Sequence, residues 1–276
     1  MKRILWFRRD LRIEDNPLLS LGGEVLPIFI FDTNILDSLT STDKRVSFIF
    51  YAVIKLKEAL KSKGLDLKLF WGKPVEVFTE LDKLGFDEVA ASGDYGNYAR
   101  QRDIEVSLIL HFNYLDDTYI FDPHEILKKD GTPYQVFTPF YNKTKEYFNK
   151  EHIKSYAFLE QSLFDTDYEG IHQYEGEKIQ TIPLALSSMG FIENMPHVSD
   201  VKVKFEELKD RLPNYASDRD YLSKDATSKL SIELRFGIIS IRSVLRFLVE
   251  QKKRDIDTEP FFRQLVFRDF YAYLLF

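Results

Sequence analysis

The feature that most constrains the fold is an alternation in the front of the chain. Short apolar runs at residues 2–7, 25–31, 65–70 and 88–91 are separated by helically periodic stretches at 46–60 and 75–84. Continuous apolar runs of strand length suit strands buried on both faces, and the helices between them supply the crossovers that parallel strands need. A further amphipathic stretch at 98–111 leads to a fifth candidate strand at 118–121. The alternation therefore predicts a doubly wound, five-stranded parallel sheet that closes near residue 127.

Residues 128–195 show no sustained period and several turn signals, among them Lys129-Asp-Gly-Thr-Pro133, Thr138-Pro139 and Ile182-Pro183, and read as a long connector with short helices. From Val203 onward the period is helical. Helices are expected at 205–212, at 229–236 with Gly237 as its stop, from a Ser240 cap to about 251, and from Thr258 on, with Glu259 and Pro260 in the first turn. The chain thus divides into an α/β unit at 1–127, a connector at 128–195 and an all-α part at 196–276. The last helix shows no glycine, proline or basic residue after Arg268, and a free carboxylate after Leu275-Phe276 would meet the negative end of the helix dipole. The all-α part is therefore expected to be truncated.

Composition narrows the chemistry. The chain has no cysteine, which excludes disulfides, thiol catalysis and cysteine-ligated metals and suits a reducing compartment. His111, His124, His152, His172 and His197 are scattered, so no metal site is expected. In Met1-Lys-Arg-Ile-Leu-Trp-Phe-Arg-Arg-Asp10 only four apolar residues separate the charges, too few for a signal-peptide core, and no apolar run approaches the ~18 residues of a membrane span. A cytoplasmic protein with no membrane partner is expected. The net charge of −6 is uneven: residues 201–276 hold 15 Lys and Arg against 12 Asp and Glu, a net +3, which leaves −9 for residues 1–200. The back of the chain is the likelier face for phosphates, although a solvated helix face explains such an excess equally well.

Two stretches concentrate chemistry. Residues 214–231, followed by Gly237, Ser240 and Arg242, place small hydroxyl donors and cations before a helix start, where unpaired N–H groups and the helix dipole favour an anion. A plain Asp/Thr/Ser helix cap is the alternative. At the front, Trp6-Phe-Arg-Arg-Asp-Leu-Arg-Ile-Glu-Asp-Asn-Pro17 puts three arginines and three acids after an apolar strand, where open α/β sheets build ligand crevices. No Gly-x-Gly-x-x-Gly follows, so a Rossmann dinucleotide site is not supported, and a surface loop knitted by Arg–Asp pairs is the plainer reading.

Trp6-Phe-Arg-Arg-Asp-Leu-Arg12, with Asp15-Asn-Pro17, resembles the amino-terminal signature of the DNA photolyase and cryptochrome family. Further motifs follow in that family's order: Arg45-x-x-Phe48, Trp71-Gly72, Tyr95 with Tyr98, Gln101-Arg-Asp103, the Lys129 to Phe140 segment, Tyr215, Thr227-Ser-Lys-Leu-Ser231 and Arg268-Asp-Phe270. The likeness covers essentially the whole chain. It implies a Rossmann-like α/β antenna domain, a linker and a helical FAD domain.

On that resemblance, Tyr215, Thr227, Ser228, Lys229, Leu230 and Ser231 match residues that hold the pyrophosphate of FAD, and the 12-residue interval from Tyr215 to Thr227 agrees with the family's. Phe261, Gln264 and Arg268 fall at further flavin-side positions; Arg219, Gln264, Phe267, Arg268 and Tyr271 fall at positions facing DNA or its lesion. Gln264 and Phe267 share a helix face. They stand where many cyclobutane-dimer repair enzymes carry glutamate and tryptophan, and Phe261 replaces another common tryptophan. Tyr95-Gly-Asn-Tyr98 departs from the usual Tyr-Glu-Pro-Tyr, and Tyr98 and Ala99 replace folate-holding residues, so a folate, a deazaflavin, another flavin or an empty antenna cleft all stay open.

The implied activity is light-dependent repair of cyclobutane pyrimidine dimers in UV-damaged DNA by a monomeric, FAD-dependent carbon–carbon lyase. A cryptochrome-like sensor, a (6-4) photolyase and an inactive fragment are the alternatives. The family's tryptophan relay and flavin-ring contacts correspond to positions past residue 276, and the only tryptophans are Trp6 and Trp71. No catalytic residue is therefore assigned, and the 276 residues alone are expected to hold FAD weakly or not at all.

Overall fold

The computed structural model describes every residue except 177, 195–197, 199 and 276. His197 and the expected boundary at 195/196 thus lie outside the described residues. Among the described residues, eight strands form one sheet: β1 (Lys2–Phe7), β2 (Gly23–Asp32), β3 (Lys68–Gly72), β4 (Glu88–Ser92), β5 (Phe112–Leu115), β6 (Gln161–Leu163), β7 (Ile171–Glu175) and β8 (Lys178–Ile182). Their order is β5-β4-β1-β2-β3-β7-β8, and every pairing is parallel except β7 with β8. The long strand β2 serves two neighbours on one edge: Ile28 to Asp32 pair with β3, and Gly23 to Val25 pair with β6.

The helices are α1 (Thr33–Leu36), α2 (Lys44–Lys61), α3 (Pro74–Asp82), α4 (Asn97–Ser107), α5 (Phe137–Tyr147), α6 (Val201–Arg211), α7 (Tyr215–Asp218), α8 (Ser231–Arg235), α9 (Ile241–Lys252) and α10 (Glu259–Tyr273). Side chains alternate across the sheet as the pleat requires. Val25, Phe29 and Phe31 of β2 join Val46, Phe50, Val53 and Leu56 of α2 on one face. Leu26, Ile28 and Ile30 meet Val77, Phe78 and Leu81 of α3 and Val106 of α4 on the other. A third core is helical and gathers Leu208, Tyr215, Leu230, Leu234, Val244, Leu248, Phe261, Leu265, Val266 and Phe270, with Phe140 and Tyr141 of α5 and Ile120, Phe121 and Ile126 of the preceding segment.

Two expectations need correction. The fifth strand lies at Phe112–Leu115, not at 118–121. The backbone N–H groups of Ile120 and Phe121 go instead to a carboxylate oxygen of Asp269, at 2.7 and 3.2 Å, so that apolar segment packs under α10. The connector also contributes three strands as well as short helices. β6 has three residues and β8 is largely exposed, so neither carries the apolar run that marks a buried strand. At the seam with β7, Gly72 is required by packing: a Cβ there would lie 2.7 Å from Cβ of Tyr174.

Candidate functional site

The front arginine motif becomes a buried ionic knot between the sheet and the helices. Reversal of strand order at β1 and β4 creates a switch point, where α/β folds open a crevice beyond the strand ends. Here Arg8 reaches Asp103 at 2.6 Å and Arg9 reaches Asp94 at 2.8 Å, so the chain's own side chains fill that crevice. Asp117 accepts from both Arg12 and Arg242, the latter at 2.6 Å. Asp15 accepts from Ser240 Oγ at 2.7 Å, Arg246 Nη2 at 2.7 Å and the Tyr156 N–H at 2.9 Å. Burial alone would raise the Asp15 carboxyl, but Arg242 and these donors prevail and hold it below its ordinary value. Backbone contact seals the junction: Leu11 N donates to Phe236 O at 3.1 Å, and a Cβ on Gly237 would fall 2.0 Å from Arg9 O. The Arg–Asp loop reading is thus right about pairing, but most of the pairs are buried, and those from Asp15 and Asp117 to Arg242 and Arg246 span the two halves.

The 214–231 stretch builds a different environment. α7 presents Tyr215, whose ring meets Phe261 edge-on at 5.2 Å and whose hydroxyl engages Arg219. Arg219 also lies 3.4 Å from Asp220. Lys229 adopts φ 51° and Leu230 follows at φ −94°, ψ 2°; such a change of hand turns successive N–H groups toward one side, the geometry of an anion-binding nest. α8 starts only at Ser231 and has no side-chain cap, so the donors are not consumed as a helix cap. Thr227 and Ser231 are exposed and make no side-chain hydrogen bond to the described residues. Ser228 Oγ accepts weakly from Leu230 N at 3.4 Å, and Lys229 pairs with Asp225 at 2.6 Å.

α10 lies against this cradle. Phe261, Gln264, Arg268 and Tyr271 follow one stripe of the helix, with Phe267 beside it. Arg268 is largely buried, and its guanidinium donates to Thr118 O at 2.7 Å and Leu234 O at 3.1 Å while lying 4.6 Å from the Tyr119 ring centre. Its nearest carboxylate, Asp269, stands at 3.8 Å. Burial pushes the Arg268 guanidinium below its ordinary value, and Asp269 only partly counters this. Burial likewise drives the Asp269 carboxyl up to about 7; one of its oxygens holds Ile120 and Phe121 while the other has no hydrogen-bond partner. Gln264 and Phe267 are half-buried, Tyr271 is exposed, and the Gln264 amide makes no hydrogen bond to the described residues.

The structure therefore brings Tyr215, Leu230, Phe261 and Arg268 against one helical core and leaves Thr227, Ser231, Gln264 and Tyr271 facing outward. Sequence reasoning missed Asp117 and Arg246, which complete the knot, and Arg263, whose guanidinium lies 5.0 Å from the Phe137 ring centre. Single acids and arginines carry no local spacing signal. At the antenna position, Tyr98 donates its hydroxyl to Asp32, whose carboxyl is raised first by burial. Among the described residues no cluster suited to a metal occurs, and no helix is long and apolar enough to cross a membrane.

The family model described as DNA photolyase matches residues 3–157. The deoxyribodipyrimidine photo-lyase of Alkalihalophilus pseudofirmus is 27% identical over 297 residues, covering 98% of this chain and 58% of that protein. An archaeal photolyase from Sulfolobus tokodaii, solved with two FAD molecules, superposes with a TM-score of 0.73 at 25% identity over 99% of this chain and 59% of its own. A class III photolyase from Agrobacterium tumefaciens gives 0.78 at 24% identity over 100% of this chain and 59% of its own, a likeness of fold. The chain thus spans about three-fifths of the length of the photolyases it matches.

Proposed function

This chain belongs to the DNA photolyase family, and from that premise we propose that it carries the phosphate side of an FAD site and the adjoining DNA face of a light-dependent lyase that repairs cyclobutane pyrimidine dimers. We assign residues 1–127, together with the sheet strands β6 to β8, to the antenna-type unit, the rest of 128–195 to the connector and 196–276 to the flavin-binding part.

Arg268 carries the reading. A largely buried guanidinium whose partners are two carbonyls, the Tyr119 ring and a carboxylate at 3.8 Å is under-compensated in charge, and a diphosphate supplies the missing charge. The cradle fits the same group: Thr227 and Ser231 donate hydroxyl hydrogens, and the 229–231 backbone offers N–H groups turned to one side. Tyr215 and Phe261 form an apolar wall that keeps water from the cofactor. When bound, FAD supplies the light-driven electron that splits the dimer. Toward DNA, Gln264 donates its amide to a pyrimidine carbonyl, Phe267 and Tyr271 offer ring faces to an extruded base, and Arg219 meets phosphate, which positions the duplex without reading its sequence.

The test is illumination of the flavin-loaded protein with duplexes carrying either a cyclobutane dimer or a (6-4) product. Loss of the cyclobutane dimer supports the proposal. Repair of the (6-4) product alone reassigns the lesion, and repair of neither by protein with bound, reduced flavin removes the lyase reading. Arg268→Leu should weaken FAD binding, read by fluorescence titration of the purified protein with added FAD; an affinity equal to that of the wild type overturns the assigned site.

A further inference from the structure

We propose that Phe137 and Phe267 form a clamp for a single nucleobase, with Phe137 as the wall that moves. This rests on the DNA reading above and adds to it a residue from α5. The two rings lie face to face, their centres 3.4 Å apart and their planes within 9°. Phenyl rings prefer offset or edge-on contact, because eclipsed faces bring like quadrupole charge together. Arg263 offsets that repulsion here, its guanidinium standing 5.0 Å from the Phe137 centre and 5.8 Å from that of Phe267. The pair extends at both ends, to Tyr141 at 5.5 Å from Phe137 and to Tyr271 at 6.2 Å from Phe267, with tilts of 24° and 22°. Four nearly parallel rings thus run from buried Tyr141 and half-buried Phe137 of α5 to Phe267 and exposed Tyr271 of α10, with a cation beside them.

The two walls differ in how they are held. Phe267 stands mid-helix beside buried Val266 and Phe270. Phe137 is the first residue of α5, whose start has no side-chain cap, and Gln135, Val136, Thr138 and Pro139 around it are all exposed. Swinging Phe137 outward gives up the stack on Phe267, and with it the contacts to Tyr141 and Arg263 and an edge-on contact with Phe270 at 5.6 Å, but it breaks no helix cap and moves no fully buried ring. A pyrimidine is flat and as thick as the ring it displaces, so parting the pair by one ring thickness gives a base two faces to stack on. Gln264, one turn from Phe267, lies at the clamp's edge, and Arg263 supplies positive charge for the strand's phosphate. In the closed state Phe137 occupies the stacking face of Phe267 as a stand-in for the base.

The test uses the whole chain and two fluorescein-labelled duplexes identical except at one position, an unpaired thymine in one and an abasic site in the other, read by anisotropy. Phe137→Leu should weaken binding of the thymine duplex about tenfold, the scale of one base–aromatic stack, and leave the abasic duplex unchanged. Phe137→Trp, which keeps a flat ring, should bind the thymine duplex like the wild type. An unchanged affinity in Phe137→Leu, an equal loss on both duplexes, or a tryptophan variant as weak as the leucine one overturns the clamp while the DNA reading stands. Failure of the wild type to bind either duplex overturns both.

Discussion

The ionic knot and the proposed flavin-side cradle hold similar residues and treat them in opposite ways. In the knot, Arg12, Arg242 and Arg246 end on Asp15 and Asp117, and the backbone closes over them. In the cradle, Arg268 ends on carbonyls, and the hydroxyls of Thr227 and Ser231 end on nothing in the described chain. Buried charge is tolerated where its partners are built in, and is costly where they are not. The charges of the knot are therefore paired within the chain, even though Arg8 Nε, Asp103 Oδ2 and Asp117 Oδ2 have no hydrogen-bond partner among the described residues, whereas the cradle proposed above calls for an anion. The residues most diagnostic of the family at its amino terminus are, on this contrast, the ones that fix the two halves together.

The largest expected effect breaks the knot. Asp117→Ala leaves the Arg12 and Arg242 guanidiniums facing each other without their shared carboxylate, and should cost roughly 3–5 kcal/mol in urea unfolding. Lys83→Ala, which removes an exposed pair with Glu80, should cost under about 1 kcal/mol. Equal effects from the two would remove the distinction between a buried structural knot and ordinary surface pairing.

How legible this was in the sequence follows from the same physics. The strands β1 to β4 announce themselves because burial on both faces demands an unbroken apolar run. β5 has only four residues and β8 is mostly exposed, and both lie at sheet edges, so their partners decided them and not a buried apolar run. The 214–231 segment stood out by residue type and spacing as a candidate, and Ser240 by its capping role, which it fulfils by accepting from the Arg242 and Ser243 N–H groups. The convergence of Asp15, Asp117 and Arg242 was not readable, because it joins positions separated by more than a hundred residues through tertiary packing. Phe137 lay within a quoted motif, yet its stack on Phe267 depends on where α5 docks.

A smaller effect sharpens the contrast through pH. Asp269 sits beside Arg268 with its carboxyl raised to about 7 by burial, against 3.8 when unfolded. Below about pH 4 both states are protonated and the group is neutral in its effect. Between about 4 and 7 only the folded state keeps the proton, so stability falls as pH rises, by up to about 4 kcal/mol in total, and above 7 the cost is constant. Asp15 in the knot has the opposite sign: its depressed pKa stabilises the fold above the unfolded value, and that contribution is lost as pH falls through the folded one. Asp269→Asn should therefore flatten the decline in urea stability between pH 5 and 7. An unchanged slope would show that other raised carboxyls, such as Asp10 and Asp32, account for it.

The smallest expected effect on folding is the most informative about function. Thr227→Ala and Ser231→Ala each remove one hydroxyl that bonds to nothing in the described chain, so each should change urea stability by no more than about 0.5 kcal/mol, the range of surface substitutions. If the hydroxyls hold a diphosphate, each variant should still lose flavin affinity by roughly 1 kcal/mol or more, since a hydrogen bond to a charged group exceeds a neutral one. Fluorescence titration with FAD reads the second quantity and urea unfolding the first. Loss of stability without loss of affinity would make these residues part of the fold, as the knot is, and would erase the difference between the two regions. Loss of affinity at constant stability is the signature of donors placed for a ligand, because only the bound state contains the bonds that were removed.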